Sequence, residues 1–164
     1  MKCALLILSV IFLAGCASGP IWVSNPNDLN NVTIEKAIRK QLMKSSGRLT
    51  KKNLDMVDSL AISSSQLTSV RELGMLTELR FLDLYNNDLT DVNGLDGLVR
   101  LESLNLGENQ LTNIGALSEL TRLKSLILGE NKLTSVGALE NLTNLESLDL
   151  YNNKLTGVEV LGKL

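Results

Sequence analysis

Two carboxylates stand out among the residues able to do chemistry, Asp83 and Asp149. Paired carboxylates can serve as general acid and base. Here they lack company. The chain has no His, which removes the commonest general base and the commonest metal ligand. Its two thiols are Cys3 and Cys16, and Cys3 falls in a segment expected to be removed, so one thiol remains and no internal disulfide can form. Gly115 and Gly137 recur without a GxGxxG or Walker pattern, so they make no phosphate loop; easing a tight turn is the expected reason for them. The sequence therefore predicts no catalytic residue, no metal site and no cofactor, and it argues against an enzyme. What remains is chemistry by contact: the rings and aliphatic chains of Phe81, Tyr85, Ile127 and Tyr151, with Asp83, Asn105 and Asp149 among them.

A repeat positions these residues. Stacking the chain at a step of 22 aligns Leu79, Leu101, Leu123 and Leu145, and the same step back from Leu79 reaches Val57. One unit's apolar set, Leu101, Leu104, Leu106, Leu111, Ile114, Leu117 and Leu120, returns at the same offsets on either side. The spacing LxxLxLxxNxL resembles the leucine-rich repeat. A stretch such as Leu82-Asp83-Leu84 alternates inward and outward and predicts a short strand; strands of successive units would stack in parallel along a concave face. One unit cannot bury seven aliphatic side chains by itself, but each coil covers the next, and each such side chain contributes roughly 1.5 to 3 kcal/mol when buried. The predicted fold is α/β: a right-handed solenoid with a parallel β-sheet on the concave face and a short helical N-terminal cap. Asn87, Asn109, Asn131 and Asn153 fall where the chain leaves each strand, and they predict a structural ladder that bonds otherwise orphaned backbone groups. Ser65 fills that slot in the first repeat, where one neighbouring coil is missing.

Composition agrees. A chain of 164 residues with 44% hydrophobic and only 3% aromatic residues suits one core of many equivalent aliphatic slots. The net charge of -2 is balanced, and basic clusters such as Lys51-Lys52 are too short to track a phosphate backbone, so no nucleic-acid partner is expected.

At the N-terminus, Lys2 precedes an uncharged apolar run over residues 4–14, a length typical of a signal peptide and short for a span. It ends in Leu13-Ala14-Gly15-Cys16, which resembles the lipobox of bacterial lipoproteins. That resemblance implies a lipoprotein signal peptide over 1–15, cleavage before Cys16, and acyl chains such as palmitate on Cys16, two or three of which hold a chain stably on a membrane. Ala17 in place of Asp implies the outer membrane if the host is Gram-negative. Residues 16–31 then form the lipidated Cys and a linker rich in Ser, Gly, Pro and Asn, in which Trp22 either meets the lipid interface or packs on the first folded element.

Residues 32–56, VTIEKAIRKQLMKSSGRLTKKNLDM, resemble the helical N-terminal cap of bacterial internalins, and the repeats with Asn-rich turns resemble theirs as well. Ala37, Ile38 and Leu42 share a helical face; Asn31 or Thr33 would cap that helix, and Thr50 a second one. The repeats then occupy 57–164, about five with the last incomplete, and no polar cap follows. Either the chain is a truncated product or something covers that end, a second copy of the chain or a partner.

The outward positions read Ser59, Ala61, Ser63; Phe81, Asp83, Tyr85; Ser103, Asn105, Gly107; Ser125, Ile127, Gly129; Ser147, Asp149, Tyr151. Exposed rings in a concavity are typical binding anchors. Glu108 and Glu130 at the rim would make the groove mildly acidic. The expected function is recognition of a protein partner, of unidentified kind, by an envelope protein facing the periplasm or the exterior. The alternative is a passive envelope spacer without a dedicated ligand.

Overall fold

Between strands an apolar residue recurs at every third position, as in Val92, Leu95, Leu98 and Leu101, and three residues per turn is the period of a 3-10 turn and not of an α-helix. The computed structural model, which describes residues 22–157 and Gly162, follows that period. Leu95 N–H donates to Val92 O at 3.1 Å, and Leu98 N–H to Leu95 O and Leu101 N–H to Leu98 O at 2.9 Å. Successive side chains thus land on one face, and all four are buried. Other returns contain 3-10 helices at Arg71–Met75, Gly115–Leu117 and Gly137–Leu139.

Five strands, β1 (Ser59–Ala61), β2 (Phe81–Asp83), β3 (Ser103–Asn105), β4 (Ser125–Ile127) and β5 (Ser147–Asp149), form one parallel sheet in chain order. The central residues Leu60, Leu82, Leu104, Leu126 and Leu148 stand in register across it. The first four are buried and Leu148 is half-buried. Each coil covers the leucines of its neighbours: Leu145, Leu148, Leu150 and Leu155, in the last of the described coils, are only partly buried, whereas their counterparts in the third coil, Leu101, Leu104, Leu106 and Leu111, are almost wholly so. Val158 and Leu161, which the repeat assigns to that coil, lie outside the described residues, as do Cys16 and the segment before it.

Two helices close the other end. Helix α1 (Leu29–Gln41) packs on β1 and buries Ile34 and Ile38 completely. Its cap is Asp28, not Asn31 or Thr33: the Asp28 carboxylate accepts from the N–H groups of Asn30 and Asn31, so the helix begins at Leu29, within the expected linker. Asn31 is buried instead, accepting from Asn25 N–H at 2.8 Å and donating to Val23 O at 3.2 Å, which pins the incoming chain. Helix α2 (Lys51–Leu54) is capped by Thr50 as expected, with Asn53 returning a bond to the Thr50 N–H. Trp22 packs on this cap: it is 5% exposed, and its indole N–H donates to Glu35 at 3.0 Å. Burial pushes the Glu35 pKa up, but hydrogen bonds from Ser24, Arg39 and Trp22 and the charge of Arg39 outweigh it and leave the carboxylate below its usual range.

The asparagine ladder has a direction. The side-chain amide of Asn109 donates to Leu84 O at 3.0 Å in the preceding coil and to Leu106 O and Gly107 O at 3.1 Å in its own, while its oxygen accepts from Leu89 N–H of the preceding coil at 3.1 Å. Asn87, Asn131 and Asn153 repeat the arrangement. Each Asn therefore stitches its coil backwards. The first repeat has no earlier coil to stitch, which is why Ser65 suffices there; its hydroxyl merely donates to Ser63 O at 3.0 Å.

Gly115 and Gly137 do not need glycine's freedom; neither has a positive φ, and each opens a 3-10 helix. A glycine is required at Gly94, at φ +100, where an added Cβ would come within 2.5 Å of Arg71 Cα in the coil before.

Replacing Asn109 with Ala leaves buried carbonyls and the Leu89 N–H without partners, so we expect a loss of about 3 kcal/mol in urea unfolding. Asn153→Ala, whose site is only half-buried, should cost clearly less. Equal losses at the two positions would count against a burial-dependent ladder.

Candidate functional site

The sheet's outer face is built from two columns of strand residues and one column just beyond the strands. The first runs Ser59, Phe81, Ser103, Ser125, Ser147, and the second Ala61, Asp83, Asn105, Ile127, Asp149, both fixed by register. The small residues of the first column leave Phe81 standing, 42% exposed beside a depression of about 270 Å³ that Ala61, Asn105 and Ile127 also line. Arg80 places its guanidinium 5.3 Å from the centre of the Phe81 ring, an orienting contact that sequence reasoning missed.

In the second column the acidic side chains have local work. Asp83 accepts from Tyr85 N–H and from the Ser63 hydroxyl, both at 2.9 Å; Asn105 accepts from Gly107 N–H at 3.0 Å, and Asp149 from Tyr151 N–H at 2.8 Å. A side-chain oxygen receiving the N–H two residues on closes the turn out of the strand. Asp83 and Asp149 thus shape the exit of the chain as well as charging the face. Ile127 cannot make this bond and lies half-buried, not projecting freely as its outward position suggested.

The third column is Ser63, Tyr85, Gly107, Gly129, Tyr151. Gly107 and Gly129 are buried and form a floor: a Cβ on Gly107 would lie 3.4 Å from the Tyr85 ring, and one on Gly129 3.0 Å from the Asp149 carboxylate. Tyr85, 37% exposed, lies across this floor and donates its hydroxyl to the Glu108 carboxylate; Tyr151 is 72% exposed. That hydrogen bond, with desolvation and the charges of Glu108 and Glu130, raises the Tyr85 pKa.

The next residue in each coil, Ser64, Asn86, Glu108, Glu130 and Asn152, is left-handed, with φ between 48 and 57°. Asn tolerates that conformation well and Glu poorly, so Glu108 and Glu130 hold acidic groups at the rim against local strain. Glu130 accepts from the Asn152 side chain at 2.5 Å. On the other edge, the residues before the strands, Asp58, Arg80, Glu102, Lys124 and Glu146, alternate in sign. Arg80 and Glu102 pair at 2.8 Å, which raises the arginine pKa and lowers that of the carboxylate. This alternation was legible at the 22-residue step. Among the described residues, no group of three or more His, Cys, Asp or Glu could hold a metal ion, and no helix is long and apolar enough to cross a membrane.

A family model described as leucine-rich repeats in two copies matches residues 77–119 and 121–163, more than half of the chain. The chain belongs to the leucine-rich-repeat family. Among solved structures, this leucine-rich-repeat protein is similar to an internalin (inlF) of Listeria monocytogenes, at 32% identity and a TM-score of 0.77 over 80% of this chain and 39% of that one. A leucine-rich-repeat protein of Leptospira interrogans matches at 31% identity and 0.63 over 70% of this chain and 31% of that one. The functional domain of InlJ from Listeria monocytogenes, at 24% identity and 0.69 over 89% of this chain and 37% of that one, shares the fold. The present chain thus spans 39% or less of the length of these three structures. No curated protein matches the sequence.

Because Tyr85 donates to Glu108, ultraviolet titration should show a tyrosine that ionises above the ordinary tyrosine range. Glu108→Gln should bring the late tyrosine down towards its ordinary range; an unchanged titration would show that the Tyr85–Glu108 contact does not persist in solution.

Proposed function

We propose that this leucine-rich-repeat protein is a lipid-anchored component of the bacterial cell envelope that recognises a protein partner on the concave face of its sheet. The family is in general a scaffold for protein–protein interaction, and one observation carries the reading to this face. Phe81, Tyr85 and Tyr151 stand exposed on a floor of Ser and Gly, whereas the remaining aromatic side chain among the described residues, Trp22, is buried. Rings held on a rigid sheet supply contact area at small entropic cost. Asp83, Glu108, Glu130 and Asp149 around them favour a partner that offers an apolar side chain flanked by cations or hydroxyls.

The anchor rests on Cys16 in Leu13-Ala14-Gly15-Cys16 after the apolar run over 4–14, with the outer membrane as the destination in a Gram-negative host. Membrane attachment in that case is through acyl chains on Cys16, and the partner is met from the periplasm or from outside.

The test combines Tyr85→Ala and Tyr151→Ala, exposed positions whose loss leaves the core intact. Affinity purification from envelope extracts should recover a stoichiometric partner with the parent chain, and the double variant should bind it at least about 30-fold more weakly. Undiminished binding would place the site elsewhere, and the absence of any stoichiometric partner would favour a passive spacer. Palmitate labelling lost in Cys16→Ala checks the anchor.

A further inference from the structure

Charge is divided unevenly along the molecule. Residues 28–56, the helical cap, hold seven basic and three acidic side chains, a net of +4, whereas residues 57–157 hold seven basic and fourteen acidic, a net of -7. Two of the three acids of the cap are spent internally, Glu35 on Arg39 and Asp55 on Lys51, each pair at 2.7 Å. Lys36, Lys40 and Lys44 make no ion pair among the described residues; the first two are one turn apart on α1 and Lys44 follows just beyond its C-terminus. Apolar side chains accompany them: Leu29, Val32 and Met43 are 80%, 41% and 96% exposed. Pro26, Val32, Lys36, Lys40, Met43 and Lys44 border a groove of about 600 Å³ along this side of the helix. Cations interleaved with exposed apolar groups along one helix and the turn that follows it match the headgroup layer of an anionic bilayer, which takes both at once.

We infer that this face of the cap docks on the surface of a bilayer containing anionic phospholipid and so fixes the direction in which the solenoid points. The inference rests on the lipid anchor at Cys16. Only five residues separate Cys16 from Trp22, which is packed into the cap. A tether of that length reaches at most about 20 Å, so the basic face is held close to the headgroups and its local concentration there is high. The net -7 of the repeats is repelled by the same surface. The molecule therefore stands on its cap, with the sheet and its rings held away from the membrane and free to meet a partner.

The test uses the full chain purified from the membranes of an expressing bacterium and placed on vesicles of phosphatidylcholine alone or of phosphatidylcholine with phosphatidylglycerol. On the anionic vesicles, amine labelling of Lys36, Lys40 and Lys44 should slow by about fivefold or more, while Lys132 and Lys154 of the repeats label equally on both. Oxidation of Met43 by peroxide should slow in parallel relative to Met56, and K36Q/K40Q/K44Q should abolish that slowing. At about 0.5 M NaCl, where the screening length is near 4 Å, the protection should vanish. Equal rates on the two kinds of vesicle, with the fold intact by circular dichroism, would overturn docking whatever Cys16 carries. A bare Cys16 by mass spectrometry would instead overturn the anchor, and therefore docking as inferred here.

Discussion

No coil of this protein can keep its own leucines from water. Each contributes one three-residue strand and one chain of turns, too thin to have an inside, and an inside exists only where a second coil lies against the first. The gradient of burial makes this visible: leucines of the third coil are almost wholly enclosed, and equivalent ones in the fifth are half open. The helical cap meets the same need at the other end, where Ile34 and Ile38 cover the first coil. Polar groups obey the constraint too. Burying a turn between coils strands its carbonyl and N–H groups, and the backward-reaching Asn amides satisfy them within the gap that the leucines close.

Most of the fold was legible because mutual shielding forces identical chemistry at identical offsets. The strands, the four ladder asparagines, the Ser65 exception and the Thr50 cap all follow from slots that tolerate few residue types. Where the sequence misled, several residue types could satisfy the same local need. Asn31 and Thr33 were plausible caps, yet Asp28 lies just ahead of both, and a carboxylate there bonds two N–H groups. Gly115 and Gly137 drew notice by recurring, whereas the demanding backbone is at Gly94, whose only signature is a close approach between coils that no single repeat reveals.

The outer face was half legible. Its columns followed from the alternation of the strands, but outward does not mean free. Asp83, Asn105 and Asp149 close turns, Ile127 is half covered, and Gly107 and Gly129 are a floor and not projections. The rings that remain, with acids at the rim in a strained conformation, stand on a rigid surface. Rigidity comes from the stack beneath, so the proposed recognition face and the packed core are two faces of one sheet.

Mutual shielding predicts that the molecule unfolds as one unit, and the single tryptophan makes this measurable. Trp22 fluorescence reports on the cap and far-ultraviolet circular dichroism on the whole, while Leu106→Ala opens a cavity in a coil remote from Trp22. Both signals should lose stability together, by about 2 to 5 kcal/mol, with coincident transitions. A tryptophan transition left in place while the dichroism shifts would mean that the coils stand independently and would contradict the central claim.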